Sequence, residues 1–329
     1  MKQMTQTGQG AQLLSKFFRQ YATLFVLIVI IAVFSFMHPA FFTVTNMMNI
    51  LRQISMMTIV TVGVSFVLIS GGLDLSVGSQ IALMNCVVAL MITSLGVNPI
   101  LAILAGLALT TGIGLFNGFT ISKTGIPPLI ATLAMMTSLR GITFIITRGF
   151  PVHGLPDSLR FIGQGILFGV LPVPVVIMLV IIVAGAIFLN KTYIGRHFYA
   201  LGSNTEATRL SGINVHFTRI LSYTLLGFLT GLAGLIMLFR VGSGQPNIAD
   251  GMELEVLTAA VLGGVSVKGG KGSISGAVIG AVIIGVLNNG LVIIGAGTHW
   301  QRVITGTILF AVIVFDSLSQ SRGRTRKTA

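Results

Sequence analysis

The sequence predicts an all-α polytopic membrane protein with about ten transmembrane helices and a broken-helix segment near residues 70–78. Three observations carry that prediction. First, 53% of the 329 residues are hydrophobic and only 8% are charged, with a mean hydropathy of +0.96. A soluble domain carries about a quarter charged residues, so too few polar side chains remain to cover a globule of this length in water. Second, windows close to the about 20 apolar residues that cross a bilayer recur along the chain. Third, the basic residues are distributed unequally between the two sets of connecting segments.

The windows fall near 21–37, 49–69, 77–94, 99–121, 127–147, 166–189, 217–240, 252–266, 273–294 and 300–318. The first, "YATLFVLIVIIAVFSFM", follows a polar stretch over 1–20, is longer than a typical signal-peptide core and has no small-residue cleavage site after it. It is read as a retained span. The second and third flank the segment "SGGLDLSVGS", where the chain breaks. Gly106, Gly112 and Gly114 crowd the fourth, Gly227 and Gly231 the seventh, and Gly276 and Gly280 the ninth. Small residues let helix backbones approach in lipid, where water expulsion does not drive association, so ordinary bundle packing accounts for them. The eighth window is short. The resulting organisation is an N-terminal segment 1–20, a transmembrane domain 21–318 with a cytoplasmic loop at 190–216, and a basic tail 319–329.

With the N-terminus placed in the cytoplasm, the inner segments hold 14 Lys and Arg and the outer ones 6, the direction of the positive-inside rule. Both termini are then cytoplasmic. The formal charge of +13 is explained this way and not by nucleic acid, because the basic residues are scattered between apolar runs. Cys86 is single and lies in an apolar run, a packing residue. The five histidines are dispersed, with no HExxH spacing and no cysteine partner for zinc. "GGVSVKGGKGS" over 263–273 departs from the phosphate-loop pattern, since Lys271 is followed by Gly272 and Val265 stands where the first glycine belongs. It reads as a flexible basic loop at the membrane surface, distantly similar to "SGGLDLSVGS". No catalytic constellation and no metal site emerge.

The longest polar interruption is "KTYIGRHFYALGSNTEATRLSGINVHFTR", residues 191–219. Within it "SNTEATRLSGI" predicts a short helix, capped by Asn204 or Thr205, with Glu206 in its first turn and Gly212 ending it. Such a helix suits the docking of a soluble partner, and equally a plain surface connector.

The blocks "FFTVTNMMNILRQ", "SGGLDLSVGS", "IATLAMMTSLRGI", "GRHFYALGSNTEATRLSGIN", "SGQPNIADGMELE" and "AAVLGGVSVKGGKGSISGAVIGA" resemble, in order and spacing over nearly the whole chain, the permease subunit of ribose-type bacterial ABC sugar importers. The resemblance implies a multi-pass protein of the bacterial inner membrane that pairs with a second permease copy or paralogue. It implies a periplasmic sugar-binding protein that delivers a monosaccharide. It also implies a cytoplasmic ABC ATPase subunit that holds ATP and Mg²⁺, with no cofactor on this chain. Residues 195–213 look like the family's coupling segment, comprising Gly195, Arg196, Gly202, Asn204, Glu206, Ala207, Arg209, Ser211 and Gly212. In "MELEVLTAAVLGG", Glu255 stands where the family more often has Asp.

The break itself holds Gly71, Gly72, Asp74 and Ser76. An ionised carboxylate at the bilayer centre costs about 2.5–3.5 kcal/mol on insertion scales, so Asp74 is expected toward the cytoplasmic end of the break, where it or Ser76 caps the third span. It either holds a broken helix together or borders the sugar path. Glu253 and Glu255, at the entry to the eighth span, are a docking rim, a sugar-contacting mouth or simply interfacial. Asn85, Asn117, Asn288 and Asn289 line a path or bond between helices. The rival functions are an ion-driven secondary carrier, and the same importer carrying a nucleoside or branched-chain amino acid.

Overall fold

The computed structural model describes residues 24–325; the expected segment 1–20 and the last four residues of the tail lie outside them. The described chain is helical almost throughout. In order come α1 (Leu24–Met37), α2 (Val44–Ile69), α3 (Val77–Thr93), α4 (Pro99–Thr124), α5 (Pro128–Thr147) and α6 (Arg160–Gln164). Then follow α7 (Val173–Lys191), α8 (Tyr193–Ser203), α9 (Thr205–Leu210), α10 (Val215–Val241), α11 (Met252–Leu262), α12 (Ile274–Ile293) and α13 (Thr298–Thr325). The exceptions include a hairpin of two-residue strands, Ile166–Leu167 and Leu171–Pro172, just before α7. The sixth predicted window therefore begins seven residues early.

Among the described residues six helices are long and apolar enough to cross a membrane: α2, α4, α5, α7, α10 and α12. The windows expected as third and eighth spans are shorter. α3 has 17 residues and α11 has 11, about 25 and 16 Å at 1.5 Å per residue, against a hydrocarbon core of about 30 Å. Both begin after an irregular segment, at Ser70–Ser76 and at Gly242–Gly251.

α2 is the central helix: 83% of its apolar stretch is buried, against 17% for α5. A helix buried on all sides carries no charged face, and its polar groups must be satisfied locally. Ser55, Thr61 and Ser65 donate to the carbonyls four residues back, at 2.6, 2.8 and 2.7 Å. α10 packs along α4 through facing glycines. A Cβ at Gly227 would strike the Thr110 carbonyl, and one at Gly114 the Tyr223 carbonyl. Gly276 and Gly280 likewise face Gly263 and Ala259 at the end of α11. Both small-residue pairs are thus spent inside the chain's own bundle.

The asparagines also bond between elements. Asn85 donates to the Gly234 carbonyl at 3.0 Å, and Asn289 exchanges two 3.0 Å bonds with Asn46. Asn117 reaches Asp74, and Asn288 reaches Glu255.

Candidate functional site

α2 ends at Ile69 because Gly71 takes a left-handed conformation (φ 78°), which lets the Gly71 and Gly72 amides bond back to Leu68 and Val67, both at 2.9 Å. Leu73, Asp74 and Leu75 then make no backbone–backbone hydrogen bonds, so the Leu73 amide and carbonyl need other partners. α10 supplies them. The Tyr223 hydroxyl accepts from the Leu73 amide (3.2 Å) and donates to the Leu73 carbonyl (3.1 Å), and Ser70 donates to Ser222 (3.1 Å). Tyr223 is fully buried. Nothing in its sequence surroundings marks it, and it was missed.

Asp74 follows, 3% exposed. Its Oδ1 accepts from the Ser76 amide and hydroxyl at 2.7 and 2.6 Å, and Oδ2 from Asn117 at 3.2 Å. Gln80 and Asn117 both donate to Ser76 Oγ, at 2.9 and 3.2 Å. Of the three ion pairs among the described residues, none includes Asp74. The carboxyl group is held by hydrogen bonds alone, which meets the requirement that a buried polar group be partnered.

Asn117 lies seven residues from the end of α4 and Tyr223 eight from the start of α10, so the network sits about 10–12 Å inside the bundle from those ends. Ser76 occupies the N-cap position of α3 but makes no capping bond. Its hydroxyl is drawn to Asp74 instead.

The predicted coupling residues divide into two groups. α8 and α9 form a bent helical pair, where the sequence suggested one short helix. Asn204 caps α9 by accepting from the Ala207 amide at 3.0 Å, and Gly212 (φ 79°) ends it. Arg196, Asn204, Glu206, Ala207, Arg209, Ser211 and Gly212 are exposed. Arg209 donates to Glu206 at 2.6 and 3.1 Å, and that hydrogen bonding holds the Glu206 carboxyl below its ordinary pKa. Gly195 and Gly202 face inward on α8. There Phe198 packs edge-on against Phe66 of α2 and Phe188 of α7, with ring centroids 6.1 and 5.7 Å apart.

The tightest contact of α8 is at Gly202. A Cβ there would collide with the Ile69 carbonyl and come within 2.5 Å of the Gly270 nitrogen. Gly270 donates its amide to that same Ile69 carbonyl at 2.9 Å. One at Gly269 would lie 2.9 Å from Gly71 Cα. Tyr199 of α8 adds a bond to the Gly272 carbonyl, 2.8 Å. The segment 263–273, expected to be a free surface loop, is therefore pinned between the end of α2 and α8. Three segments meet backbone to backbone at glycines: the helix break, the inward face of α8 and the loop before α12.

Glu253 and Glu255 lie in the first turn of α11, after Gly251 (φ 86°). Glu255 accepts from Asn288 at 3.1 Å. A Cβ at Gly78 would lie 2.5 Å from Glu253 Oε2. The two acidic regions thus border the same turn of α3, Asp74 at its start and Glu253 against its flank.

The chain is thus a helical bundle of membrane-spanning length, with a break between α2 and α3 and a surface helical pair locked to that break. A family model described as the permease component of branched-chain amino acid transport systems matches residues 46–313. The ribose import permease protein RbsC of Escherichia coli (strain K12) is 42% identical over 323 residues, 96% of this chain and 99% of that protein. RbsC of Bacillus subtilis (strain 168) is 40% identical over 89% of this chain and 90% of its own. The L-arabinose transport system permease protein AraH of E. coli (strain K12) is 38% identical over 99% and 100%. The chain belongs to this family of membrane permease components. No solved structure matches it significantly.

Proposed function

We propose that this chain is the membrane-spanning permease subunit of an ATP-driven importer in the bacterial inner membrane. Its cargo is a monosaccharide, ribose or a related pentose or hexose. The permeases named for ribose and L-arabinose support that cargo class. A periplasmic binding protein delivers the sugar to the face opposite α8 and α9. The cytoplasmic ATPase subunit, which holds ATP and Mg²⁺, docks on the exposed residues of α9. A second permease copy or paralogue completes the pathway, and both termini lie on the ATPase side. The chain crosses the bilayer about ten times, with α3 and α11 each completed by its adjoining irregular segment.

The observation that carries the mechanism is the glycine junction at Gly71, Gly202 and Gly269–Gly270. Backbone contact has no side-chain slack, so displacement of α8 by the ATPase is passed to the end of α2 and to the loop before α12 together. The break then switches the pathway between its two openings. The energy comes from contacts that differ between the two states.

The test is reconstitution of the chain with its ATPase and binding protein in proteoliposomes. Uptake of D-ribose, D-allose or L-arabinose should require ATP hydrolysis. Gly212→Pro, which cannot adopt φ 79°, should leave hydrolysis running without uptake. Accumulation driven by a proton gradient without the ATPase overturns the proposal. Leucine, included because the family description names branched-chain amino acids, should not be taken up.

A further inference from the structure

We infer that the arginines gathered at the end of the bundle opposite α8 and α9 bind the phosphate headgroup of an acidic phospholipid, with α6 and the hairpin before α7 as the lipid-facing wall. The inference is independent of the cargo. Arg52 of α2, Arg160 of α6 and Arg240 of α10 meet around the last residues of α6. The Gln164 carbonyl accepts from Arg52 Nη2 at 3.3 Å, and the Gln164 side-chain amide donates to the Arg240 carbonyl at 2.7 Å. A Cβ at Gly163 would strike the Arg240 backbone, and one at Gly242 would lie 3.6 Å from Arg160 Nε. α6 therefore lies across the end of α10 and joins it to α2.

The cluster is short of negative charge. Arg160 pairs with Asp157 at 3.0 Å, and among the described residues neither Arg52 nor Arg240 has a carboxylate partner. Three guanidinium groups thus share one carboxylate, which leaves two positive charges over. Arg52 spends one of its five donors, on Gln164. Its Nε is enclosed without a partner, and the rest of the guanidinium remains open. The Arg240 guanidinium bonds nothing among the described residues, and none of its nitrogens is enclosed. Like charges brought together beside apolar surface repel, and an anion set between them removes the repulsion. Phosphate is the anion that the planar guanidinium fork fits in bidentate geometry.

The wall shows that the anion carries hydrocarbon. Phe161, Ile166, Phe168 and Val170 are all exposed, and no charged residue occurs from Phe161 to Asn190. The apolar surface of the hairpin therefore runs without interruption into α7, which is mostly lipid-facing. At the hairpin tip Phe168 is 96% exposed and takes φ 54°, a conformation unusual for a bulky side chain. In water that residue is unfavourable on both counts; in a bilayer its ring is an interfacial anchor. The strands are two residues long and leave backbone groups unpaired at their edges, so the hairpin lies at headgroup level with only its side chains in hydrocarbon. Arg52 stands eight residues inside α2, about 12 Å from its end. A lipid headgroup reaches that depth along the helix, whereas a soluble protein meets the end of α2 first.

The experiment is native mass spectrometry of the full chain titrated with phosphatidylglycerol or phosphatidylcholine, counting the lipid that stays bound. Phosphatidylglycerol should be retained in preference. Arg240→Gln removes a side chain that bonds nothing among the described residues, so folding should hold, and it should weaken phosphatidylglycerol binding about fivefold. Arg52→Gln combined with Arg240→Gln should bring it down to the level of phosphatidylcholine. Arg148→Gln, at the end of α5 and outside the cluster, should leave it unchanged. The wall is read in nanodiscs by fluorescence. Trp300→Phe removes the single tryptophan, and Phe168→Trp in that background should be quenched by chain-brominated lipid. No preference for phosphatidylglycerol, or one that the double variant keeps, overturns the site. Displacement of the lipid by inorganic phosphate at equal concentration makes it a free-anion site and overturns the lipid reading. Arginine variants that spare lipid binding but abolish capture of the binding protein assign the cluster to docking instead. Quenching by aqueous iodide and not by brominated lipid overturns the wall.

Discussion

Gly202→Ala sets two effects against each other. Gly202 is the tenth of the eleven residues of α8, and alanine inside a helix is favoured over glycine by about 1 kcal/mol. Propensity alone therefore predicts a stabler α8. The junction predicts the reverse. The added methyl group meets the Ile69 carbonyl and the Gly270 nitrogen, both backbone atoms that no rotamer change can move. Restoring ordinary contact near 3.5 Å to Gly270 from 2.5 Å separates the backbones by about 1 Å. That shift stretches the 2.9 Å bond between Gly270 and Ile69 beyond use. Overpacking costs about 1–3 kcal/mol and the lost bond about 0.5–1.5 kcal/mol. After the helix gain is set against them, α8 docking weakens by about 1–3 kcal/mol. Hydrogen exchange of the amides in 193–203 should then speed up by about five- to a hundredfold, and the importer should consume several times more ATP per sugar moved. Gly212→Ala is the control. Its φ of 79° is strained for alanine but nothing lies within 4 Å, so the disturbance should stay within the last turn of α9. Unchanged exchange in α8 and unchanged coupling for Gly202→Ala would refute the junction.

Further outcomes follow from the buried bonds. Tyr223→Phe removes the group that serves both the amide and the carbonyl of Leu73 and should lower stability by about 1–3 kcal/mol, read as the thermal midpoint in nanodiscs. Asp74→Asn turns an amide toward the amide of Asn117 and should destabilise by a similar amount. The exchanged pair Asp74→Asn with Asn117→Asp should recover part of it, and a pair that behaves additively would show that the 3.2 Å bond contributes nothing. Asn46→Leu leaves the Asn289 amide without its reciprocal partner. The double replacement by leucine should be less destabilising than the single one, because paired loss leaves no orphan.

Much of the bundle was legible in one dimension because lipid imposes a one-dimensional rule: a segment must be apolar over its crossing length or stay out. The windows for α2, α4, α5, α7, α10 and α12 follow from it. The cap at Asn204 and the stop at Gly212 were legible for a similarly local reason, since capping joins residues three apart. The lengths of α3 and α11 were not, because an irregular segment such as 70–76 or 242–251 can be as apolar as a helix. Its course depends on whether a distant side chain satisfies its backbone. Tyr223 does so for Leu73, 150 residues away in sequence.

By itself the sequence determined that this chain lies in a membrane, that Asp74 stands in a break and that residues 195–213 form a polar surface element, since composition and local pattern are properties of neighbouring residues. Tertiary structure decided where Asp74 sits, which glycines are locked together and which asparagines pair between helices. Close approach and satisfied hydrogen bonds are properties of residues that meet only in space.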